Sequence, residues 1–461
     1  MTEGYHSGTA LGFRSPAPET EAYPTGSAGP DGTVQDVIGI GFGPSNLALA
    51  IALDEAGRRS GRPVRVRFLE RQPEFLWHGG MLLPDSGMQI SFLKDLVTLR
   101  DPTSPFSFVN YLHVHGRLTD YINRKSFYPS RIEFNDYLRW VASHFVDRCD
   151  YGEAVVAVEP ERAGDTVRHL VVRSVDGAGR ERRRRTRAVV LATGGEPRIP
   201  EAFADLHGSQ RVFHSSTYLR SIAALPFAGS SPRIAVIGAG QTAAELFLDL
   251  KSRLPGASVD LIFRGQALKP ADDSPFVNEI FNPDFTDFVY GQPESGRSAL
   301  IEEFRGTNYS VIDGELLTRI YEILYQQKVV ADVRHALHRR TCVETATEAG
   351  SQVHLDLVDE ASGARSRAGY DAVILATGYR RDRLNTLMPA LQPYLAETGV
   401  DRDYRLRTRP GFEPAIYLQG FSEETHGLSD TLLSILVVRG QEIAQALLGL
   451  SAEVGHARAS A

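Results

Sequence analysis

Four stretches of the chain are almost continuously apolar and run into glycine: residues 37–40 before Gly41, 189–193 before Gly194, 234–237 before Gly238, and 372–377 before Gly378. Apolar runs without polar alternation are the pattern of strands buried on both faces of a parallel sheet. After the first and third runs the period changes, and apolar residues recur at helical spacing over 47–56 and 242–250. Each of these is a strand, turn, helix unit, followed by a further strand at 64–69 and 259–263. Two such units predict an α/β protein of two Rossmann-like dinucleotide-binding domains. The expected division places residues 34–213 and 370–461 in one domain and 214–369 in the other. A smaller, mainly helical substrate-binding region is expected at about 270–330, with a helix over 314–326. Near the C-terminus, Ser429 or Asp430 is expected as the N-cap of an apolar helix from Leu432 onward. Residues 1–33 are rich in Gly, Pro, Ser and Thr and show no period, so a flexible tail is expected there.

Composition narrows the class without changing that picture. The chain has 461 residues, with 50 basic and 57 acidic side chains and a net charge of −7, a balance that suggests no broad nucleic-acid face. The row Arg182 to Arg185 has no interleaved aromatics and is expected as a solvated hairpin over 177–187. The cysteines are Cys149 and Cys342, too few for a disulfide framework, a Cys-x-x-Cys redox pair or a thiolate metal cluster. No metal is expected, and a reducing cytoplasm fits. No apolar run approaches the ~20 residues that span a bilayer, and the N-terminus does not read as a signal peptide. The expected protein is neither secreted nor membrane-bound.

The two glycine turns are where ligand chemistry is expected. In Gly41-Phe42-Gly43-Pro44-Ser45-Asn46 the glycines let the backbone approach a pyrophosphate at the partly positive start of the next helix. Asn46 stands where the last glycine usually is. Glu70, at the end of the following strand, is an acid placed to bond a ribose hydroxyl pair. The second turn, Gly238-Ala239-Gly240-Gln241-Thr242-Ala243, differs: the strand after it leads into Arg264. An arginine there can hold a 2′-phosphate that a carboxylate would repel, so this site favours NADPH. A flavin adenine dinucleotide at the first turn and NADPH at the second imply hydride transfer into a flavin. Without a Cys-x-x-Cys pair a disulfide reductase is excluded, and dioxygen becomes the expected electron acceptor.

Seven motifs in order carry a family resemblance over about 36–445: DVIGIGFGPSNLALA at 36–50, MQISFLKDLVTLRDPTSPFSFVNYL at 88–112, VIGAGQTAAE at 236–245, DDSPFVNEIF at 272–281, TNYSVID at 307–313, ILATGY at 374–379 and THGLSDTLLS at 425–434. The sequence resembles the microbial N-hydroxylating flavin monooxygenases that act on the side-chain amine of L-ornithine or L-lysine in siderophore and related biosynthesis. The resemblance implies that Gln89 lies near the flavin ring, that Trp77 and His78 flank it, and that the Val155 main chain meets the adenine. It implies Lys94, Asn278, Asn308 and either Ser429 or Ser434 at the substrate, with Gln89 and Asn308 the catalytic pair. Asn308, Tyr309 and Ser310 are implied at NADPH. The amides around Thr431, Leu432 and Leu433 are implied at the flavin pyrimidine. A cation for a carboxylate and neutral amides for an ammonium suit an α-amino acid.

The resemblance further implies hydroxylation through a C4a-hydroperoxyflavin, with dioxygen as co-substrate and the neutral amine as nucleophile. TNYSVID resembles the ornithine branch, so L-ornithine stands first. L-lysine or a diamine (putrescine, cadaverine) is the alternative, and a non-catalytic nucleotide-binding regulator is the alternative of another class. A homo-oligomer, tetramer or dimer, is expected from resemblance alone.

Overall fold

The computed structural model describes residues 33–449 apart from 62 and 228, so the expected N-terminal tail, Thr33 excepted, lies outside the described residues. The first apolar run is the strand Gln35–Ile40, paired in parallel with Val66–Glu70 on one side and Glu181–Leu191 on the other. Cys149–Tyr151 and Ala415–Leu418 extend this parallel group at its two sides. Val37, Ile38, Val189 and Val190 are fully buried, as unalternated runs require. The helix Pro44–Ser60 buries its apolar face in the same core, and the C-terminal helix Leu436–Leu448 lies directly against it. A Cβ on Gly440 would stand 3.2 Å from the Ala48 carbonyl carbon, so a glycine is what lets the two helices approach.

Glu181–Leu191 continues into an antiparallel meander with Thr166–Asp176 and Glu153–Ala163. The basic row falls on this hairpin, as expected, and its arginines reach across the middle strand to carboxylates on Glu153–Ala163. Arg182 and Arg184 reach Glu153, Arg183 reaches Glu159 and Arg185 reaches Glu161. Cross-strand pairing of opposite charges thus neutralises the row.

The second unit is a five-stranded parallel sheet in the order Ala336–His338, Ser258–Ile262, Arg233–Ile237, Ala372–Leu375, Val212–His214. A separate antiparallel sheet, Thr341–Ala349, Gln352–Asp359 and Arg365–Tyr370, packs against it. The region between is mainly helical, as expected: Pro275–Asn278, Pro283–Gly291, Glu294–Asn308 and Gly314–Val329. Both strands that edge the expected domain division belong to the second sheet. Val212–His214 and Ala372–Leu375 pair with it, so the crossings lie before 212 and after 375 rather than at 213 and 370.

The last helix starts later than the cap-like residues suggest. Ser429 and Asp430 sit inside a single turn of 3-10 helix, Leu428–Thr431, and a second such turn spans Leu433–Ile435. Leu432 between them is extended, with φ −106° and ψ 162°, and the α-helix begins at Leu436. The Asp430 carboxylate, instead of capping the next turn, accepts from the Ser422 amide at 2.7 Å and from Arg439 at 2.8 Å.

Candidate functional site

The two glycine turns are built alike. Gly41 has φ +86°, and a Cβ there would meet the Ala192 carbonyl oxygen at 2.6 Å; Gly238 has φ +147°, and a Cβ would meet the Ala376 carbonyl oxygen at 2.4 Å. In each unit the turn presses against the chain just past the neighbouring parallel strand, where only glycine fits. The helices that follow, Pro44–Ser60 and Gln241–Arg253, have glycine N-caps, no side-chain cap and no acid in the first turn. Pro44 at the first helical position has no amide to satisfy. A Cβ on Gly43 would meet nothing within 4 Å. Uncapped amides at a helix start suit a pyrophosphate, so both turns fit the dinucleotides expected of them, and at the first the glycine before the helix also faces open space.

Glu70 ends its strand and is buried. Its carboxylate accepts from the Phe42 amide at 2.8 Å and the Gln72 amide at 2.9 Å, which leaves lone pairs for a ribose. Asn46 is fully buried, and the protein satisfies both ends of its amide. It donates to the Gly41 carbonyl at 2.6 Å and accepts from Gln419 at 2.9 Å. The asparagine in place of the usual glycine therefore braces the turn. Val155 lies at a register shift of the strand Glu153–Ala163, where a bulge leaves main-chain groups unpaired in the ladder.

In the second unit Arg264 stands exposed two residues beyond Ile262, free to meet a ligand phosphate. Gln241 faces inward: it donates to Glu245 at 3.1 Å and accepts from the Asp313 amide at 2.9 Å, which ties the turn to the TNYSVID segment. Ser310, itself at φ +60°, places its Cα 3.6 Å from where a Cβ of Gly240 would be. Asn308 is the last residue of the helix Glu294–Asn308. The Tyr309 hydroxyl donates to Glu423 at 2.5 Å. Burial and that carboxylate push the tyrosine up to about 12. Residues 308–310 thus join the second glycine turn to the segment that leads into Thr431, Leu432 and Leu433, which are half-buried.

Trp77 donates its amide to Asn135 at 2.8 Å, and its ring meets that of His78 edge-on at 4.6 Å. His78 is exposed, in left-handed conformation at φ 52°, with Tyr379 at 6.4 Å. Gln89 and Lys94 share one irregular segment, and Gln89 is exposed. Lys94 is half-buried and makes no ion pair among the described residues; burial alone lowers its pKa. Asn278 closes the helix Pro275–Asn278 and donates to the Asp273 carbonyl at 2.8 Å. No hydrogen bond joins Lys94, Asn278 and Asn308 to one another among the described residues. The two serines differ. Ser429 lies 3.3 Å from the Thr286 hydroxyl, while Ser434 is buried with no partner for its hydroxyl among the described residues.

Sequence reading overlooked Arg439, Glu423 and Glu245. A signal existed only for Arg439, a charge in the otherwise apolar helix LVVRGQEIAQALL.

Two glycine turns, each after a parallel strand of its own sheet, define a protein with paired dinucleotide-binding folds. The chain belongs to the L-lysine 6-monooxygenase/L-ornithine 5-monooxygenase family, whose model matches residues 33–381. It is 52% identical over 415 residues to an L-ornithine N(5)-monooxygenase of Pseudomonas aeruginosa, covering 90% of this chain and 94% of that protein. The solved ornithine hydroxylase of Pseudomonas aeruginosa superimposes with a TM-score of 0.87, covering 91% of this chain and all of that one. An ornithine N-hydroxylase from Kutzneria sp. 744, solved with reduced FAD, NADP+ and L-ornithine, gives a TM-score of 0.85 at 35% identity, covering 90% of this chain and 99% of that chain. No helix among the described residues is long and apolar enough to cross a membrane.

Proposed function

We propose that this protein hydroxylates the side-chain nitrogen of L-ornithine to give N5-hydroxyornithine, with dioxygen as co-substrate, FAD at the first glycine turn and NADPH at the second. The bound flavin supplies hydride acceptance and oxygen activation; the chain binds, orients and shields. The observation that carries the substrate reading is Lys94, a half-buried cation without a counter-charge among the described residues, in a chain whose TNYSVID segment resembles the ornithine branch. A buried charge without a partner is costly, and a substrate carboxylate supplies one. Asn278 and Asn308 offer neutral acceptors to the ammonium groups. A neutral surround also suits the reacting amine, whose free pKa is about 10.4 and which must lose its proton to act as nucleophile. Gln89 adds a polar contact at the flavin without adding charge. Arg264 receives the 2′-phosphate.

The product carries the N–OH that acylation turns into an iron-binding hydroxamate, which supports a place in siderophore assembly in the cytoplasm. Homo-oligomerisation, as dimer or tetramer, is supported by the exposed Tyr321, Tyr325 and Val329 at i,i+4 spacing on the helix Gly314–Val329, and light scattering on the purified protein should give two or four times the chain mass.

The test is hydroxylamine formation with FAD and NADPH on L-ornithine, L-lysine, putrescine and cadaverine in parallel, repeated with NADH. Product from L-ornithine with NADPH is expected. Product from a diamine instead would remove Lys94 from carboxylate binding, and equal rates with NADH would remove Arg264 from phosphate binding.

A further inference from the structure

We propose that Arg439 is a positioning residue for the dinucleotide of the first glycine turn: one arm of its guanidinium orients the Ser45 hydroxyl toward the pyrophosphate, while the other anchors Asp430 and the segment after it. The inference rests on the reading of that turn as the FAD site. Arg439 is 1% exposed and Asp430 fully buried. Arg439 Nη1 donates to the Asp430 carbonyl at 2.5 Å and to its Oδ1 at 2.8 Å. Nη2 donates to Ser45 Oγ at 3.1 Å. The second carboxylate oxygen of Asp430 accepts from the Ser422 amide, and the guanidinium lies over the Tyr404 ring at 5.7 Å.

Two features make this more than a structural ion pair. Desolvation largely cancels the attraction of a buried pair, so stability alone is a weak reason for an Arg–Asp pair in an apolar helix. Ser45, moreover, occupies the uncapped first turn of the helix Pro44–Ser60, where open amides await an anion. A hydroxyl that accepts from a guanidinium has its oxygen engaged and its proton free to donate. Arg439 therefore makes Ser45 a donor at the point where a pyrophosphate oxygen needs one, and places a positive charge behind the turn. The same guanidinium grips Asp430, next in sequence to Thr431, so one side chain couples the diphosphate end of the site to the flavin end.

The test uses the full chain freed of flavin, titrated with FAD by fluorescence, with the thermal midpoint of each apoprotein measured alongside. Ser45→Ala and Arg439→Lys, which keeps a charge for Asp430 but lacks the second arm, are each expected to weaken FAD binding about tenfold. The double variant should bind no more weakly than the worse single one, because both changes remove one interaction. Ser45→Ala leaves a buried Arg439 nitrogen without its acceptor, so a modest fall of the apoprotein midpoint is expected beside the larger loss of FAD binding. Unchanged FAD affinity in Ser45→Ala, or multiplied losses in the double variant, would overturn the proposal, the former even where Arg439→Lys does not fold. A wild-type apoprotein that takes up no FAD would instead overturn the reading of the turn itself, and the proposal with it.

Discussion

At the scale of single residues, the side chains that read as ligand groups divide by what the protein leaves unsatisfied. Asn46 and Gln241 look like ligand groups in the sequence, yet both spend their amides on the protein, bracing the Gly41 turn and the Asp313 segment. Lys94 does the opposite: it is half-buried with no counter-charge among the described residues. If it holds the substrate carboxylate, Lys94→Ala removes a charge-assisted bond from substrate binding and nothing from hydride transfer. The expected result is an L-ornithine KM raised roughly 10- to 100-fold. NADPH oxidation should stay near the wild-type rate and be diverted to hydrogen peroxide. Steady-state kinetics with parallel peroxide and hydroxylamine assays checks this, and an unchanged KM would place the carboxylate elsewhere.

At the scale of elements, the glycine turns separate a requirement of the fold from a requirement of the ligand. An alanine at Gly41 would be forced to a left-handed φ with its Cβ against the Ala192 carbonyl, whereas an alanine at Gly43 meets no atom and has φ −83°, which any residue adopts. Gly41→Ala is therefore expected to lower stability by about 1–3 kcal/mol with or without flavin. Gly43→Ala should leave the apoprotein midpoint in place and, if the proposed FAD site is right, weaken FAD binding, because its methyl then points into the space the pyrophosphate takes; thermal melts with and without FAD separate the two. Elements of this kind were legible in the sequence, since a buried parallel strand leaves an unbroken apolar run and the turn after it leaves glycines. The 3-10 turns at 428–435 were not. Ser429-Asp430 followed by apolar residues has the local form of a cap, and only the distant Arg439 and Ser422 draw Asp430 out of that role. The end of the helix Glu294–Asn308 was not legible either, because the glycines within it blur the helical period that would mark it.

At the scale of the whole molecule, the two units must hold a fixed relation if a nicotinamide at one turn is to face a flavin at the other. One polar chain spans them. Arg131, at the start of the helix Arg131–Ser143 in the first core, forms a two-armed pair with Glu245 on the helix Gln241–Arg253 of the second, at 2.9 and 2.8 Å. Arg131 also donates to the Met81 carbonyl, and Glu245 accepts from Gln241, whose other end holds Asp313. Asp313 in turn caps the helix Gly314–Val329 through the Glu315 amide at 2.8 Å. A planar fork on a carboxylate fixes orientation as well as distance, which suits a joint that sets the angle between two sheets. Glu245 is 5% exposed, so Arg131→Met strands a buried charge and is expected to cost about 3–5 kcal/mol. Adding Glu245→Gln removes that charge and should recover most of the loss in urea unfolding. Function should not recover with it: the double variant still lacks the fork that orients the second unit, so its rate of NADPH oxidation should stay below wild type while its stability returns. Recovery of both together would mean that the pair only neutralises charge and that the packing of the two cores alone sets the geometry between the turns.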